Sequence, residues 1–168
     1  MSIVIAEYDP KWPEQFAAEK RRVRRALGEL ALRVDHVGST SVPGLAAKPI
    51  IDIQVTVAGV AEAGACRELL EGLGYTYTTN PLPYFHQPSE WPHTHHLHVR
   101  ERGSAEERRM LAVRDWLRAH ESDRRAYEAL KRRLAEDSYA ETPEGRFRYS
   151  EGKTDFIREL EERSRAGA

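Results

Sequence analysis

The residues of this chain best suited to chemistry fall in two short stretches. In the first, Gly38-Ser39 is followed after twelve residues by Asp52, with Gln54 two positions on. Glycine lets a ligand approach the backbone closely, and backbone N–H groups beside a serine hydroxyl can meet phosphate oxygens. A metal-bound triphosphate needs such donors at one strand end and a carboxylate on the neighbouring strand. Two other phosphate or acyl chemistries are disfavoured by spacing. Gly38 and Gly44 have five residues between them and no Gly-Lys-Ser/Thr follows, so this is not a Walker A loop. Ser39 also lies outside any Gly-x-Ser-x-Gly elbow. In the second stretch, His93, His95, His96 and His98 place four of the seven histidines within six positions.

The elements that must position these groups follow from periodicity. Residues 50–57 alternate, with Ile51, Ile53, Val55 and Val57 on one face and Asp52, Gln54 and Thr56 on the other. Residues 95–100 repeat the device, setting His96, His98 and Arg100 opposite Leu97 and Val99. If the two strands share a sheet, Asp52, His96 and His98 line one cleft. Further strands are expected over 31–37, 75–79 and 84–86, with a turn at 80–83 and a loop over 87–92. Helices are expected from about 13 to 29, over 60–72 with Ala61, Cys66, Leu69, Leu70 and Leu73 inward, and from the Ser104-Ala-Glu-Glu107 capping box. Another starts at Ser122 or Asp123, turning Ala126 or Tyr127, Leu130 and Leu134 inward, and a last one carries Phe156, Ile157 and Leu160. The reading is a single α/β domain over residues 1–168, its sheet made in the first hundred residues and a helical layer in the last third.

Composition narrows the partners. The 168 residues carry 26 Lys plus Arg against 27 Asp plus Glu, a net charge of -1, which disfavours general nucleic-acid or anionic-membrane binding. The run Lys20-Arg21-Arg22-Val23-Arg24-Arg25 reads as a solvated helix face with Val23 at the buried phase. One cysteine, Cys66, and no zinc-type pairs fit a reducing compartment. There is no signal-peptide pattern and no apolar stretch of about 18 residues, so a cytoplasmic location without membrane attachment is expected. Trp12 and Trp116 read as packing anchors, and Trp91 lies in a loop.

The stretch from His36 to Ile53, HVGSTSVPGLAAKPIIDI, resembles the hallmark of the GrpB family. That family belongs to the nucleotidyltransferase superfamily and also occurs fused behind some dephospho-CoA kinases. The resemblance extends through residues 95–99, 114–120, 127–131 and 149–156. It implies a polymerase-beta-like nucleotidyltransferase fold with a mixed sheet and C-terminal helices. In such a fold Gly-Ser contacts nucleotide phosphates and an Asp-x-Asp/Glu pair plus a third acid hold divalent metal, Mg or Mn. Carried onto this chain, Gly38 and Ser39 match the phosphate contact, and Asp52 matches the first metal ligand and catalytic carboxylate. The second carboxylate position holds Gln54, and His96 and His98 stand where a third acid belongs. Imidazole prefers Zn, Ni, Fe or Mn to Mg, so an ion held by Asp52, His96 and His98 would be a softer one. The same histidines can instead hydrogen-bond in a polar pocket without metal.

Among basic residues in the matching segments, Lys48, Arg114, Lys131 and Lys153, the last two are the leading phosphate contacts, because the final helices must cover the Gly38-Ser39 end of the sheet. The expected ligand is a nucleotide or phosphorylated small molecule, and the sequence does not identify a protein partner. Three functions remain open: nucleotidyl transfer despite the degenerate Asp-x-Asp motif, a non-catalytic accessory or binding module, and metal-dependent chemistry at an Asp-His-His site.

Overall fold

The computed structural model describes residues 3–79, 84–136 and 142–166. The turn expected at 80–83 lies outside the described residues. Helix α1 (Trp12–Leu27) leads through a short 3-10 turn to β1 (Arg33–Val37), and a second 3-10 turn (Ser39–Ser41) precedes β2 (Ile51–Val57). Then come α2 (Val60–Glu71), β3 (Thr76–Thr78), β4 (Tyr84–Gln87) and β5 (His95–Glu101). Four helices close the chain: α3 (Ala105–Ala119), α4 (Glu121–Glu136), α5 (Pro143–Glu151) and α6 (Thr154–Ala166).

The five strands form one mixed sheet in the order β1-β2-β5-β4-β3, in which only β2 and β5 run parallel. The register sets Asp52 opposite His96 and Gln54 opposite His98, while antiparallel β1 sets Val37 beside Asp52. Two-residue periodicity then sorts the faces. Ile51, Ile53, Val55, Val57 and Leu97 pack with Val23 and Leu27 of α1 and Cys66 and Leu70 of α2. At ~25 cal/mol per Å² of apolar surface removed from water, this layer is the main stabilising contribution. The other face carries Asp52, Gln54, Thr56, His96 and His98, and α3 lies across part of it.

Helix α3 is placed by its capping box. Ser104 Oγ accepts from the Glu107 N–H at 3.2 Å, and Glu107 Oε2 accepts from the Gly103 N–H at 2.6 Å. Glu107 Oε1 also accepts from Thr56 Oγ1 at 3.0 Å and from Arg33 at 3.4 Å, so one buried carboxylate ties α3 to β1 and β2.

Several expectations are corrected by this packing. Strand β1 begins at Arg33 because the 3-10 turn over Gly28–Leu30 holds Ala31 and Leu32 outside the strand. In α2 only Cys66 and Leu70 are buried, whereas Ala61 and Leu69 are exposed, since a short helix lying on a sheet covers the core with a narrow stripe. Helix α4 begins at Glu121, and its inward positions are Tyr127, Lys131 and Ala135 with Leu130 and Leu134 at the flank. Helix α5 was not anticipated. Its signal is present in Thr142-Pro143, where Thr142 Oγ1 accepts from the Gly145 N–H at 3.0 Å and proline occupies the first turn. The Arg21, Arg22, Arg24 and Arg25 side of α1 is exposed and Val23 is buried, as the helical phase requires.

Candidate functional site

The site forms where β1 ends, β2 begins and the C-terminal helices arrive. Gly38 leaves β1 with φ +69° and ψ -173°, a region almost confined to glycine. An added Cβ would lie 2.8 Å from both Cβ and Cγ of Asp52, so the turn passes directly over that carboxylate. The turn is held by Ser41, whose hydroxyl donates to the Gly38 carbonyl at 2.6 Å, and by Arg118, which donates to the Ser41 carbonyl at 2.8 Å. Next to it, Thr40 Oγ1 donates to the Ile50 carbonyl at 3.1 Å and pairs with His36 Nε2 at 3.0 Å. Burial holds His36 down to about 4, the nearby Asp52 charge pulling the other way, and its neutral ring stacks on Phe16.

Asp52, His96 and His98 meet as the strand periodicity requires. His96 Nδ1 lies 3.5 Å and His98 Nε2 3.8 Å from Asp52 Oδ1. Burial pushes the Asp52 carboxyl up, but the polar and electrostatic pull of the two imidazoles together outweighs it and holds Asp52 well below the usual carboxylate range. His98 is pushed down by burial against the pull of Asp52. His93 Nδ1 pairs with His96 Nε2 at 3.0 Å and stacks on His86, whereas His95 faces away and pairs with Thr94 at 2.9 Å.

Gln54 does not join them in an open site. It is fully buried under α3, its Nε2 donates to the Glu107 carbonyl at 3.4 Å, and its Oε1 has no hydrogen-bond partner among the described residues. The donor set therefore does not fit a pair of Mg²⁺ ions: one carboxylate, a neutral sealed amide and two imidazoles offer too little hard, anionic oxygen. Among the described residues, no group of three His, Cys, Asp or Glu side chains forms a metal site.

What the helices bring instead is positive charge. A cavity of about 170 Å³ is lined by Ser39, Asp52, His96 and three lysines, Lys48, Lys131 and Lys153. Asp52 is the one acid among the described residues lining it. Lys48 and Lys153 approach the Tyr149 ring at 4.8 and 4.3 Å, and Lys131 approaches the Tyr127 ring at 4.9 Å. Burial pushes Lys131 and Lys153 down to about 7, helped by Arg132 and Lys48 for the first and by Lys48 and Lys131 for the second, while Glu128 and Asp52 respectively resist. Burial also lowers Lys48.

Local packing explains these positions. Lys131 donates to the Ala46 carbonyl while Glu128, one turn earlier, accepts from the Ala46 N–H at 3.2 Å, so α4 grips both sides of one loop residue. Gly152 lets the α5–α6 turn pack against Leu134, where an added Cβ would meet Cδ2 at 2.6 Å, and that turn delivers Lys153. Tyr127 engages Ser39, and burial pushes its hydroxyl up to about 12.

Sequence reasoning named Gly38, Ser39, Asp52, His96, His98, Lys131 and Lys153, and the structure brings all seven to this end of the sheet. It passed over Tyr127 and Tyr149 as site residues. Their one usable signal is the pairing of an aromatic with a lysine four residues later in both Tyr127-Glu-Ala-Leu-Lys131 and Tyr149-Ser-Glu-Gly-Lys153. Trp12 is a core residue, Trp116 stacks on His120, and Trp91 lies near Lys48 and Arg146 beside the cavity.

A family model described as GrpB protein matches residues 2–163. A UPF0157 protein of Halalkalibacterium halodurans is 43% identical over 167 residues, 98% of this chain and 84% of its own length. A dephospho-CoA kinase of Mycolicibacterium paratuberculosis is 34% identical over 152 residues, which span 74% of this chain and 37% of the kinase. Among solved structures, the conserved protein GrpB from Enterococcus faecalis superposes with a TM-score of 0.81 and 34% identity, covering 96% of both chains.

Proposed function

The chain belongs to the GrpB family, and from that premise we propose that it binds a nucleotide or other phosphorylated ligand at a nucleotidyltransferase-type site. The observation that carries this reading is the convergence of Lys48, Lys131 and Lys153 on a cavity with one carboxylate. Burial makes all three lysines give up their protons more easily than free lysine, and a polyanion in the cavity would hold them as ammonium groups. The layout of a Gly-Ser turn after β1 and a carboxylate on β2 supports a site of the nucleotidyltransferase kind. In this reading the lysines provide the charge neutralisation that a metal pair would otherwise bring, and Lys153 and Ser39 contact the phosphate. Asp52, held ionised by His96 and His98, orients the cationic wall.

The test is calorimetric titration of pyrophosphate and ATP, with and without Mg²⁺ or Mn²⁺, into wild type, Lys153→Met and Asp52→Ala. Binding weakened at least tenfold in Lys153→Met is expected; equal affinity in both proteins would defeat the reading. Because the donor set is poor for Mg²⁺, binding without rapid Mg²⁺-dependent nucleotidyl transfer is expected from a radiolabelled-NTP assay. Robust transfer that vanishes in Asp52→Ala would establish the enzyme and overturn the binding-module side of this proposal.

A second reading, one softer ion held by Asp52, His96 and His98, starts from both imidazoles approaching the same carboxylate oxygen and requires the three side chains to turn together into a cluster they do not now form. Elemental analysis of the purified protein tests it, and a metal content that disappears in His96→Ala and His98→Ala supports it.

A further inference from the structure

The lysine cavity does not end at Asp52. Ser39, Asp52 and Lys153 also line a second cavity of about 300 Å³ that opens between the Gly38 turn and helices α3 and α6. The two chambers thus share one wall and meet at the carboxylate.

Their linings differ in kind. The second chamber receives Met110, Val113 and Leu117, which fall on one stripe of α3 at spacings of three and four residues, together with Ile157 of α6. Its two arginines are already matched. Arg109 Nε lies 2.9 Å from Glu161 Oε1, and Arg114 Nε lies 2.7 Å from Asp115 Oδ1, with Arg114 Nη1 also donating to the His36 carbonyl at 3.1 Å. One chamber therefore has cations in excess and the other has apolar side chains with balanced charge.

We infer that the two chambers bind the two parts of one ligand, an organic phosphate whose anionic head enters the lysine chamber and whose neutral, apolar or planar body lies against Met110, Val113 and Ile157. This rests on the phosphate-binding reading and extends it to the chemical class of the whole molecule. Inorganic phosphate or pyrophosphate fills only the smaller chamber. A highly charged body, such as a second phosphorylated sugar, finds among the described residues no cation in the larger one beyond the shared Lys153 and the two ion-paired arginines. The larger volume is at the lower end of the ~300–1,000 Å³ typical of small-molecule sites, so a single ring system or a short chain suits it.

The experiment compares three probes with one head group, pyrophosphate, ADP and n-hexyl diphosphate, titrated into the full chain by calorimetry. At least one of the two organic diphosphates is expected to bind ten times or more tightly than pyrophosphate. ADP preferred over the hexyl compound identifies a planar body, and the reverse identifies a flexible apolar one. Val113→Phe, and separately Met110→Phe, fill the larger chamber. Each is expected to abolish the organic advantage while changing pyrophosphate affinity less than twofold, and thermal unfolding of each variant verifies that it is folded. The inference is overturned if both organic diphosphates bind no better than pyrophosphate. It is equally overturned if the advantage survives in both filled, folded variants. If none of the three probes binds, the phosphate-binding reading itself fails, an outcome distinct from either of these.

Discussion

Replacing Gly38 by alanine tests whether the turn over Asp52 is built as described. The backbone at φ +69° and ψ -173° lies in a region that side chains rarely adopt, and strain of that kind costs about 1–3 kcal/mol. The new Cβ would also press on Asp52, 2.8 Å from its Cβ and Cγ, and forcing a methyl group into a packed site costs a further ~1–3 kcal/mol. Gly38→Ala should therefore lower the unfolding free energy by about 2–6 kcal/mol. For a chain of this size that corresponds to a fall in Tm of roughly 5–20 °C. Urea unfolding of wild type, Gly38→Ala, Asp52→Gly and the double variant separates the two contributions. Asp52→Gly removes the three atoms nearest the new methyl but leaves the backbone strain, so the double variant should recover about 1–3 kcal/mol as coupling. Wild-type stability of Gly38→Ala, or losses that add to within about 0.5 kcal/mol, would refute the close approach. Because Asp52 itself must move, the substitution also weakens phosphate binding through the carboxylate's position.

Three further outcomes are expected. Gln54→Glu places a carboxylate opposite the Glu107 carbonyl in a sealed position, so it should destabilise the fold by roughly 3 kcal/mol or more without creating Mg²⁺ dependence; calorimetric unfolding with and without Mg²⁺ checks this, and a Mg²⁺-stabilised variant contradicts it. Glu107→Ala strips acceptors from Thr56 and Gly103 and should cost about 2–4 kcal/mol in urea unfolding, and a loss under about 1 kcal/mol would deny its bridging role. Lys153, pushed down to about 7 by burial and by Lys48 against the pull of Asp52, binds fewer protons when folded than the unfolded chain does between about pH 7 and 10. Stability should consequently rise with pH across that window in wild type more than in Lys153→Met, and identical pH slopes in the two proteins would refute the lysine's burial.

Some of this site was legible in the chain alone because it depends on local periodicity. A strand alternates sides every residue whatever surrounds it, so Asp52, His96 and His98 were bound to share a face once β2 and β5 paired. Glycine before serine at the end of β1 marked the turn, and Ser104 with Glu107 marked the start of α3, because both signals lie within a few residues of the structure they make. The family resemblance added the roles but not the contacts. What the tertiary structure decided is everything that crosses the molecule. Gln54 is closed off by a helix whose contact residue lies 53 positions away. Lys131 meets a backbone carbonyl and a tyrosine ring, and Lys153 a second tyrosine ring, contacts that no local pattern reveals, since a lysine ordinarily points to water. That lysines rather than further carboxylates face Asp52 depends on how α4, α5 and α6 dock on the sheet end. That docking is set by long-range packing of side chains, and short-range spacing carries no record of it.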